Sequence, residues 1–319
     1  MMKRMAQAPH TPSPAADDSA SGVAESSRTR RASISDWLEG ARPHTWANAF
    51  APVVAGVGAA AAYAPLSWGR AVLALVVAWA LIVGVNFAND YSDGIRGTDD
   101  DRSGPQRLTG SGLVAPKYVK YAAFAAFGVA GVAGVTLSLL SAWWLIVVGV
   151  VCVAAAWFYT GGSNPYGYRG LGEVAVFIFF GLVAVLGTEF TQTGRVSWVG
   201  LAAAIGIGGA SSAVNLANNL RDIHTDAQAG KITMAVRLGD FRTRMVWQIL
   251  SALPIFASLF IAVWQPWALV GLIAVPLWVK ASEPIRRHRK GTHLIPVLGA
   301  TGRMMLLWSV VTALALALG

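Results

Sequence analysis

The chain has 319 residues, of which 55% are apolar and 13% are charged, and its formal net charge is +9. The high apolar content excludes a disordered chain. Average globular proteins carry about 25% charged residues, so the low charged content disfavours an ordinary soluble domain. The single cysteine, Cys152, excludes an intramolecular disulfide. We therefore expect a membrane protein with several spans.

The N-terminal region differs in composition from the rest of the chain. Residues 1–32 are rich in Pro, Ala, Ser and Asp, and no apolar stretch of signal-peptide length occurs there. We expect a disordered cytoplasmic tail ahead of a membrane domain at residues 33–319. Ser33 and Asp36 then have the spacing of a capping box, which predicts a short helix at the membrane surface. An amphipathic start to the first span is the alternative.

Nine segments are apolar over about the 20 residues that a helix needs to cross a bilayer. They lie at about residues 45–63, 70–88, 119–140, 143–160, 171–190, 197–216, 244–264, 266–280 and 302–318. The eighth is short and contains Pro276, which predicts a kink or a tilt. The sequence therefore predicts an all-α membrane protein with nine transmembrane helices.

The basic residues give this arrangement an orientation. If the N-terminus is cytoplasmic, only Arg70 and Arg195 of the 25 Lys and Arg residues fall on the outer side. This agrees with the positive-inside rule. Much of the positive charge is therefore an orientation signal, and no nucleic-acid recognition motif accompanies it.

Acidic residues cluster where the second and the sixth span reach the cytoplasmic side. The first cluster contains Asn89, Asp90, Asp93 and Asp99, and the second contains Asp222 and Asp226. Residues three or four apart share one side of a helix, so each cluster brings oxygen atoms together. Such ligands suit Mg²⁺, which keeps some waters and often bridges to phosphate.

Basic residues accompany both acidic clusters: Arg96, Arg102 and Arg107 beside the first, and Arg221 and Lys231 beside the second. Arg side chains bind phosphate oxygens through paired hydrogen bonds. A solvated helix end is the alternative for either cluster alone. Two clusters at matched helix ends favour one site for a polyphosphate ester at the membrane edge.

These motifs resemble those of a known family. Asn89-Asp90-x-x-Asp93 followed by Asp99 resembles the first aspartate-rich motif of the UbiA superfamily of membrane prenyltransferases, and Asp222-x-x-x-Asp226 resembles the second. The resemblance implies nine helices around a central cavity. It also implies that Mg²⁺ bound to these six residues holds the diphosphate of an isoprenoid donor.

Further motifs resemble the branch of that superfamily whose acceptor is 1,4-dihydroxy-2-naphthoate. They are Arg42-Pro43-His44-Thr45, Gly104-Pro105-Gln106-Arg107, Tyr159-Thr160-Gly161-Gly162, Gly170-Leu171-Gly172-Glu173 and the pair Asn218-Asn219. Gly97 departs from some members, which have an Asp there, but this branch shares the acid at Asp99. The resemblance implies transfer of a polyprenyl group to the naphthoate with loss of carbon dioxide. The product is demethylmenaquinone, an intermediate of menaquinone biosynthesis.

The resemblance assigns roles to these residues. Asp93, Asp222, Asp226, Arg96 and Tyr159 are the expected catalytic residues, and Arg42, Asn89, Arg102, Arg107, Asn218, Arg221 and Lys231 are expected to bind substrate. We expect the Tyr159 ring to stabilise the allylic cation. Arg42 either holds the acceptor carboxylate or anchors the surface helix. Glu173 either belongs to the site or is a favourable acid at a helix N-terminus.

Two other functions stay open at this stage. One is a UbiA-type prenyltransferase with another acceptor, such as 4-hydroxybenzoate, haem, chlorophyllide or a phosphoribosyl sugar. The other is an ion or phosphate transporter, but spans such as 119–140 and 302–318 contain no acid that would bind cargo. We expect a multi-pass protein of a bacterial plasma membrane with its active site at the cytoplasmic face. Prenyl chain length, metal number and oligomeric state are not set by the sequence.

Overall fold

The computed structural model describes residues 32–97 and 107–319. Within these ranges the chain is helical and contains no β-strand. The helices are α1 Ile34–Gly40, α2 Ala47–Ala61, α3 Trp68–Gly94, α4 Pro116–Leu140, α5 Leu145–Phe158, α6 Gly172–Val176, α7 Gly187–Thr193, α8 Trp198–Arg221, α9 Ile223–Gln228, α10 Met234–Ile261, α11 Val275–Arg286 and α12 Ile295–Leu318. The predictions for the tail at residues 1–31, for Asp99 and for Arg102 lie outside the described residues.

Seven helical segments of the described chain are long and apolar enough to cross a membrane. They are Trp68–Gly94, Pro116–Leu140, Gly172–Thr193, Trp198–Arg221, Met234–Ile261, Pro266–Arg286 and Gly291–Leu318. Two shorter apolar helices, α2 and α5, coincide with the first and the fourth predicted span. The all-α class is confirmed, and nine crossings stay a prediction.

The start of the described chain follows its local sequence signals. The Ser33 hydroxyl accepts the Asp36 N–H at 3.3 Å, and the Asp36 carboxylate accepts the Ser33 N–H at 2.7 Å. These reciprocal bonds satisfy two of the free N–H groups at the start of α1. The predicted capping box is therefore present, and the apolar side chains of Ile34 and Leu38 are exposed.

Two spans change helix type along their length. A π-helical segment, Phe177–Leu186, joins α6 to α7 within the fifth predicted span. In the eighth, a 3-10 helix from Pro266 to Ala274 precedes α11. Pro276 lies in the first turn of α11, where a missing N–H is tolerated. The change of helix type therefore falls just before Pro276, and the predicted kink or tilt stays a prediction.

Helix α8 is the most buried of the seven long apolar segments, since 83% of its apolar window lies inside the protein. It packs against α2, α10, α12 and the π-helical segment. Small residues allow these close approaches: a Cβ added to Gly181 would lie 2.6 Å from the Cα of Gly208. This packing fixes the C-terminal end of α8, where the second acidic cluster lies.

Helices α3 and α8 run in the same direction. The N–H of Ser67, which precedes α3, donates to Gln192 of α7 at 2.8 Å. The N–H of Ser197, which precedes α8, donates to Glu189 of α7 at 3.1 Å. Because both helices begin beside α7, both end at the opposite end of the bundle. The two acidic clusters therefore lie at matched helix ends, as the sequence predicts.

Candidate active site

The last two turns of α3 direct two side chains of the first cluster towards the loop between α5 and α6. The Asn89 Oδ1 atom accepts a hydrogen bond from the Thr160 hydroxyl at 2.7 Å. The buried Asp93 accepts one from the Tyr168 hydroxyl at 2.6 Å. Their i,i+4 spacing places both on one side of the helix, as predicted.

Asp90 has a different environment from Asn89 and Asp93. It is fully buried, and its two carboxylate oxygens accept the N–H groups of Leu108 and Thr109, each at 2.8 Å. Hydrogen bonds from backbone N–H groups to a carboxylate are among the stronger ones in proteins. Asp90 therefore anchors the chain that returns towards α4, and this anchor places Arg107 beside the end of α3.

The second cluster lies where α8 gives way to α9. Asp222 separates the two helices, with φ −96° and ψ 12°, yet the Asp226 N–H still donates to the Asp222 carbonyl at 2.8 Å. The helix thus breaks at Asp222, but the i,i+4 proximity of the two acids is kept. The Arg221 guanidinium binds both Asp222 oxygens at 2.6 Å and the Asn218 side chain at 2.8 Å.

Tyr168, which the sequence analysis did not single out, connects the two clusters. Its hydroxyl donates to Asp93, and its ring centroid lies 5.5 Å from the Lys231 Nζ atom. Lys231 in turn lies 3.5 Å from the Asp226 carboxylate. The Tyr168 carbonyl also accepts the Ile232 N–H at 3.0 Å. The two acidic clusters are therefore joined through one aromatic side chain.

Arg96 holds the same loop from the side of α3. Its guanidinium donates to the carbonyl oxygens of Thr160 and Gly162, and lies 5.6 Å from the Tyr168 ring centroid. Arg96 and Lys231 thus bring one cation from each cluster to the same ring.

A second polar group lies between the α5–α6 loop and α8. The Tyr159 hydroxyl donates to Asn215 at 3.3 Å, and the Glu173 Oε1 atom accepts the Asn219 amide at 2.6 Å. The Oε2 atom of Glu173 is buried and has no hydrogen-bond partner among the described residues. Glu173, whose role the sequence left open, is also within electrostatic reach of Lys231.

The turn between α1 and α2 packs on α3 and approaches the second cluster. The Asn86 amide donates to the Ala41 carbonyl and to the Thr45 hydroxyl, both at 3.0 Å. Arg42 adopts φ 53°, a left-handed conformation that costs energy for a residue with a side chain. Burial, and then the charges of Arg42 and Arg221, lower the pKa of His44. The Arg42 turn is therefore electrostatically coupled to Arg221.

The donor set fits a metal that arrives together with a phosphate ligand. In the described part of the chain, no three His, Cys, Asp or Glu side chains lie close enough to hold an ion by themselves. The carboxylates instead lie on two helix ends, with Arg221 and Lys231 beside them. Mg²⁺ is usually bound by one or two carboxylates, waters and substrate phosphate oxygens. Fold and site together define an integral membrane protein with an oxygen-rich, cation-lined site at one end of its bundle.

Comparison with known proteins agrees with this class. A model of the UbiA prenyltransferase family matches residues 49–309. The chain therefore belongs to the UbiA prenyltransferase family.

Individual relatives extend over nearly the whole chain. It is 58% identical over 288 residues to the 1,4-dihydroxy-2-naphthoate octaprenyltransferase of Mycobacterium tuberculosis, covering 90% of this chain and 99% of that protein. It is 33% identical over 299 residues to the enzyme of the same name from Escherichia coli, covering 88% and 94%.

Solved structures share the fold. A UbiA homolog from Archaeoglobus fulgidus bound to GPP and Mg²⁺ superposes with a TM-score of 0.65 at 15% identity, covering 89% of this chain and 100% of that one. The apo structure of a UbiA homolog from Aeropyrum pernix K1 gives a TM-score of 0.66 at 14% identity, covering 83% and 96%. At these identities the likeness establishes the helical architecture.

Proposed function

We propose that this protein transfers a polyprenyl group from polyprenyl diphosphate to 1,4-dihydroxy-2-naphthoate, giving demethylmenaquinone in menaquinone biosynthesis. The observation that carries the proposal is the chain of contacts from Asp93 through Tyr168 and Lys231 to Asp226, which brings both acidic clusters to one site. Relatives named 1,4-dihydroxy-2-naphthoate octaprenyltransferase, one of them 58% identical to this chain, support the choice of acceptor.

The donor diphosphate lies between the ends of α3 and α8 in this proposal. Oxygen atoms of Asn89, Asp93, Asp222 and Asp226 would hold Mg²⁺, while Asp90 anchors the adjoining loop. When bound, Mg²⁺ neutralises negative charge on the leaving diphosphate. The Arg221 guanidinium lies against Asp222 at 2.6 Å, so it would be placed to donate to diphosphate oxygens beside that carboxylate. Asn218, hydrogen-bonded to Arg221, then orients that guanidinium.

The reaction proceeds by loss of the diphosphate. The allylic C–O bond breaks, and its electron pair leaves with the diphosphate, whose charge Arg96, Arg107 and Lys231 stabilise. The Tyr159 ring stabilises the allylic cation. An electron-rich naphthoate ring carbon forms the new C–C bond, and the carboxylate leaves as carbon dioxide, returning its bonding electrons to the ring. The product is the quinol form of demethylmenaquinone.

Arg42 is the candidate for binding the acceptor carboxylate. Its turn is fixed to α3 through Asn86, and the charge of Arg221 lowers the pKa of the neighbouring His44; this placement favours the substrate-binding alternative. A guanidinium there holds the carboxylate until carbon dioxide leaves, and so orients the ring towards the cation.

The protein spans a bacterial plasma membrane nine times, with the catalytic end facing the cytoplasm. Residues 33–319 form the catalytic domain around a central cavity. The positive-inside arrangement supports this orientation.

The proposal is tested with purified protein, a labelled polyprenyl diphosphate, 1,4-dihydroxy-2-naphthoate and Mg²⁺. We expect prenyl transfer that EDTA stops and that added Mg²⁺ restores. Asp93→Ala and Asp222→Ala should each lower kcat/KM on the order of 100-fold or more. Each removes a carboxylate that would hold the Mg²⁺ bound to the diphosphate. The thermal midpoint of each variant checks that it still folds.

Glu283→Ala is the matched control, because this carboxylate pairs with Arg287 on α11 and is half exposed. We expect it to leave activity unchanged. Metal-independent transfer, or full activity of either Asp variant, contradicts the mechanism. Transfer to 4-hydroxybenzoate but not to the naphthoate assigns another acceptor. Phosphate or cation flux into liposomes without any prenyl transfer supports the transporter instead.

A further inference from the structure

We propose that Tyr168 is the positioning residue that sets the spacing and charge balance between the two acidic clusters. This inference rests on the proposed function, since it assigns the residue a role at the diphosphate site. The role has two parts, one for the hydroxyl and one for the ring.

The hydroxyl orients Asp93. It donates to one carboxylate oxygen, Oδ1, at 2.6 Å, within the usual range for a hydroxyl bonded to a carboxylate. A carboxylate oxygen that accepts one directed hydrogen bond still has a second lone pair that a metal ion can use. Metal ligands that are carboxylates are usually fixed by hydrogen bonds of this kind, and loss of such a bond weakens metal binding by roughly 10–100-fold.

The ring places one cation from each cluster. Arg96 from the end of α3 and Lys231 from the segment after α9 both lie against it, at 5.6 and 5.5 Å from its centroid. A cation over an aromatic face is stabilised by about 0.5–2 kcal/mol. The ring is thus a group that both cations contact, one from each cluster. The ring therefore keeps two positive charges where one diphosphate can contact both.

Backbone hydrogen bonds hold the loop around Tyr168 in place. Its carbonyl accepts the Ile232 N–H at 3.0 Å, which ties the loop to the residue after Lys231. On the other side, Arg96 holds Thr160 and Gly162 of the same loop. The side chain thus projects from a loop attached to both clusters, so replacing only its hydroxyl leaves the loop in place.

The test compares Tyr168→Phe with Tyr166→Phe. Tyr166 lies in the same loop and its hydroxyl donates to the Ala155 carbonyl at 2.8 Å, away from both acidic clusters. The binding readout is the rise in thermal midpoint with Mg²⁺ at fixed inorganic pyrophosphate, which needs no turnover. We expect Tyr168→Phe to raise the half-saturating Mg²⁺ concentration on the order of tenfold, with the naphthoate KM unchanged. Tyr166→Phe should match the wild type.

A double-variant experiment separates positioning from general stability. If Tyr168 acts through Asp93, the double variant Tyr168→Phe/Asp93→Asn should have the same half-saturating Mg²⁺ concentration as Asp93→Asn alone. Tyr168→Leu, which also removes the ring, should additionally raise the KM for polyprenyl diphosphate.

Two results overturn the inference: an unchanged Mg²⁺ dependence in Tyr168→Phe, or equal effects with and without Asp93. Wild-type protein that binds Mg²⁺ and pyrophosphate but transfers no prenyl group contradicts the proposed function alone, because the binding comparison does not require transfer.

Discussion

His44 belongs to the turn between α1 and α2, and the charges of two arginines, Arg42 and Arg221, act on it. Although part of its surface is exposed, burial and these charges lower its pKa below the ordinary value of 6.5, against a smaller opposing effect of Glu39. Since the native protein disfavours the protonated ring, the unfolded chain binds more protons between the two pKa values. The free energy of unfolding therefore has its full value above pH 6.5, where His44 is neutral in both states. It decreases as the pH falls through the native pKa.

We therefore expect acidification from pH 7.5 to 5.5 to lower the thermal midpoint of the wild type more than that of His44→Gln, which cannot gain this charge. Thermal unfolding in detergent at a series of pH values measures the difference. Parallel pH profiles for the two proteins would show that His44 does not titrate against Arg42 and Arg221.

At the scale of single residues, spacing predicted which side chains belong together but not what each one contacts. Asn89, Asp90 and Asp93 look equivalent in the sequence, yet Asp90 binds two backbone N–H groups that lie 18 and 19 residues away. Tyr168 gave no signal, because its partners come from the ends of α3 and α9 and only the folded chain brings them together. Glu173 stayed ambiguous for the same reason: its partner Asn219 belongs to α8.

Among the helices, the π-helical segment and α8 form one of the close contacts that depend on glycine. An added Cβ on Gly181 would lie 2.6 Å from the Gly208 Cα and 2.7 Å from the Ala204 carbonyl oxygen. Both neighbours are backbone atoms, so the two helices would have to separate. Because α8 carries Asp222 at its end, this contact also determines where the second cluster lies.

We expect Gly181→Ala to destabilise the protein by about 1–3 kcal/mol, the usual cost of overpacking. Gly187→Ala is a matched control in the same span, because nothing lies within 4 Å of its added Cβ. The two thermal midpoints in detergent test this, and activity per folded molecule shows whether the second cluster moves. Equal midpoints would mean that α8 and the π-helical segment separate without cost.

The existence of the helices followed from apolar segment length, but their ends and types did not. The second span was expected to end near residue 88 and continues to Gly94, so that Asn89, Asp90 and Asp93 lie within the helix. Polar residues extended α3 past its apolar stretch because their side chains find partners in the protein. The break at Asp222 and the π-helical segment depend on tertiary packing, which no periodicity of apolar residues encodes.

Across the whole molecule, the end opposite the acidic clusters is rich in exposed tryptophan. Exposed tryptophans lie there, at the start of α3, α5 and α8 and after α10: Trp68, Trp143, Trp144, Trp198, Trp264 and Trp267. Arg70 and Arg195, the two basic residues assigned to the outer side, lie at this same end, where Arg70 donates to the carbonyl of Thr191 at the end of α7. Tryptophan is enriched where a membrane protein meets the lipid headgroups. We expect this belt to mark one membrane interface and the acidic clusters to lie towards the other.

The orientation can therefore be measured with one cysteine at each end. In a Cys152→Ser background, we expect Val196→Cys, next to Arg195, to react with a membrane-impermeant maleimide in intact cells. Lys290→Cys, in the basic segment after α11, should react only after the cells are opened. Both positions are exposed, so the bilayer decides which one the reagent reaches. Labelling of Lys290→Cys in intact cells would place the catalytic end outside, where the positive-inside rule puts few basic residues.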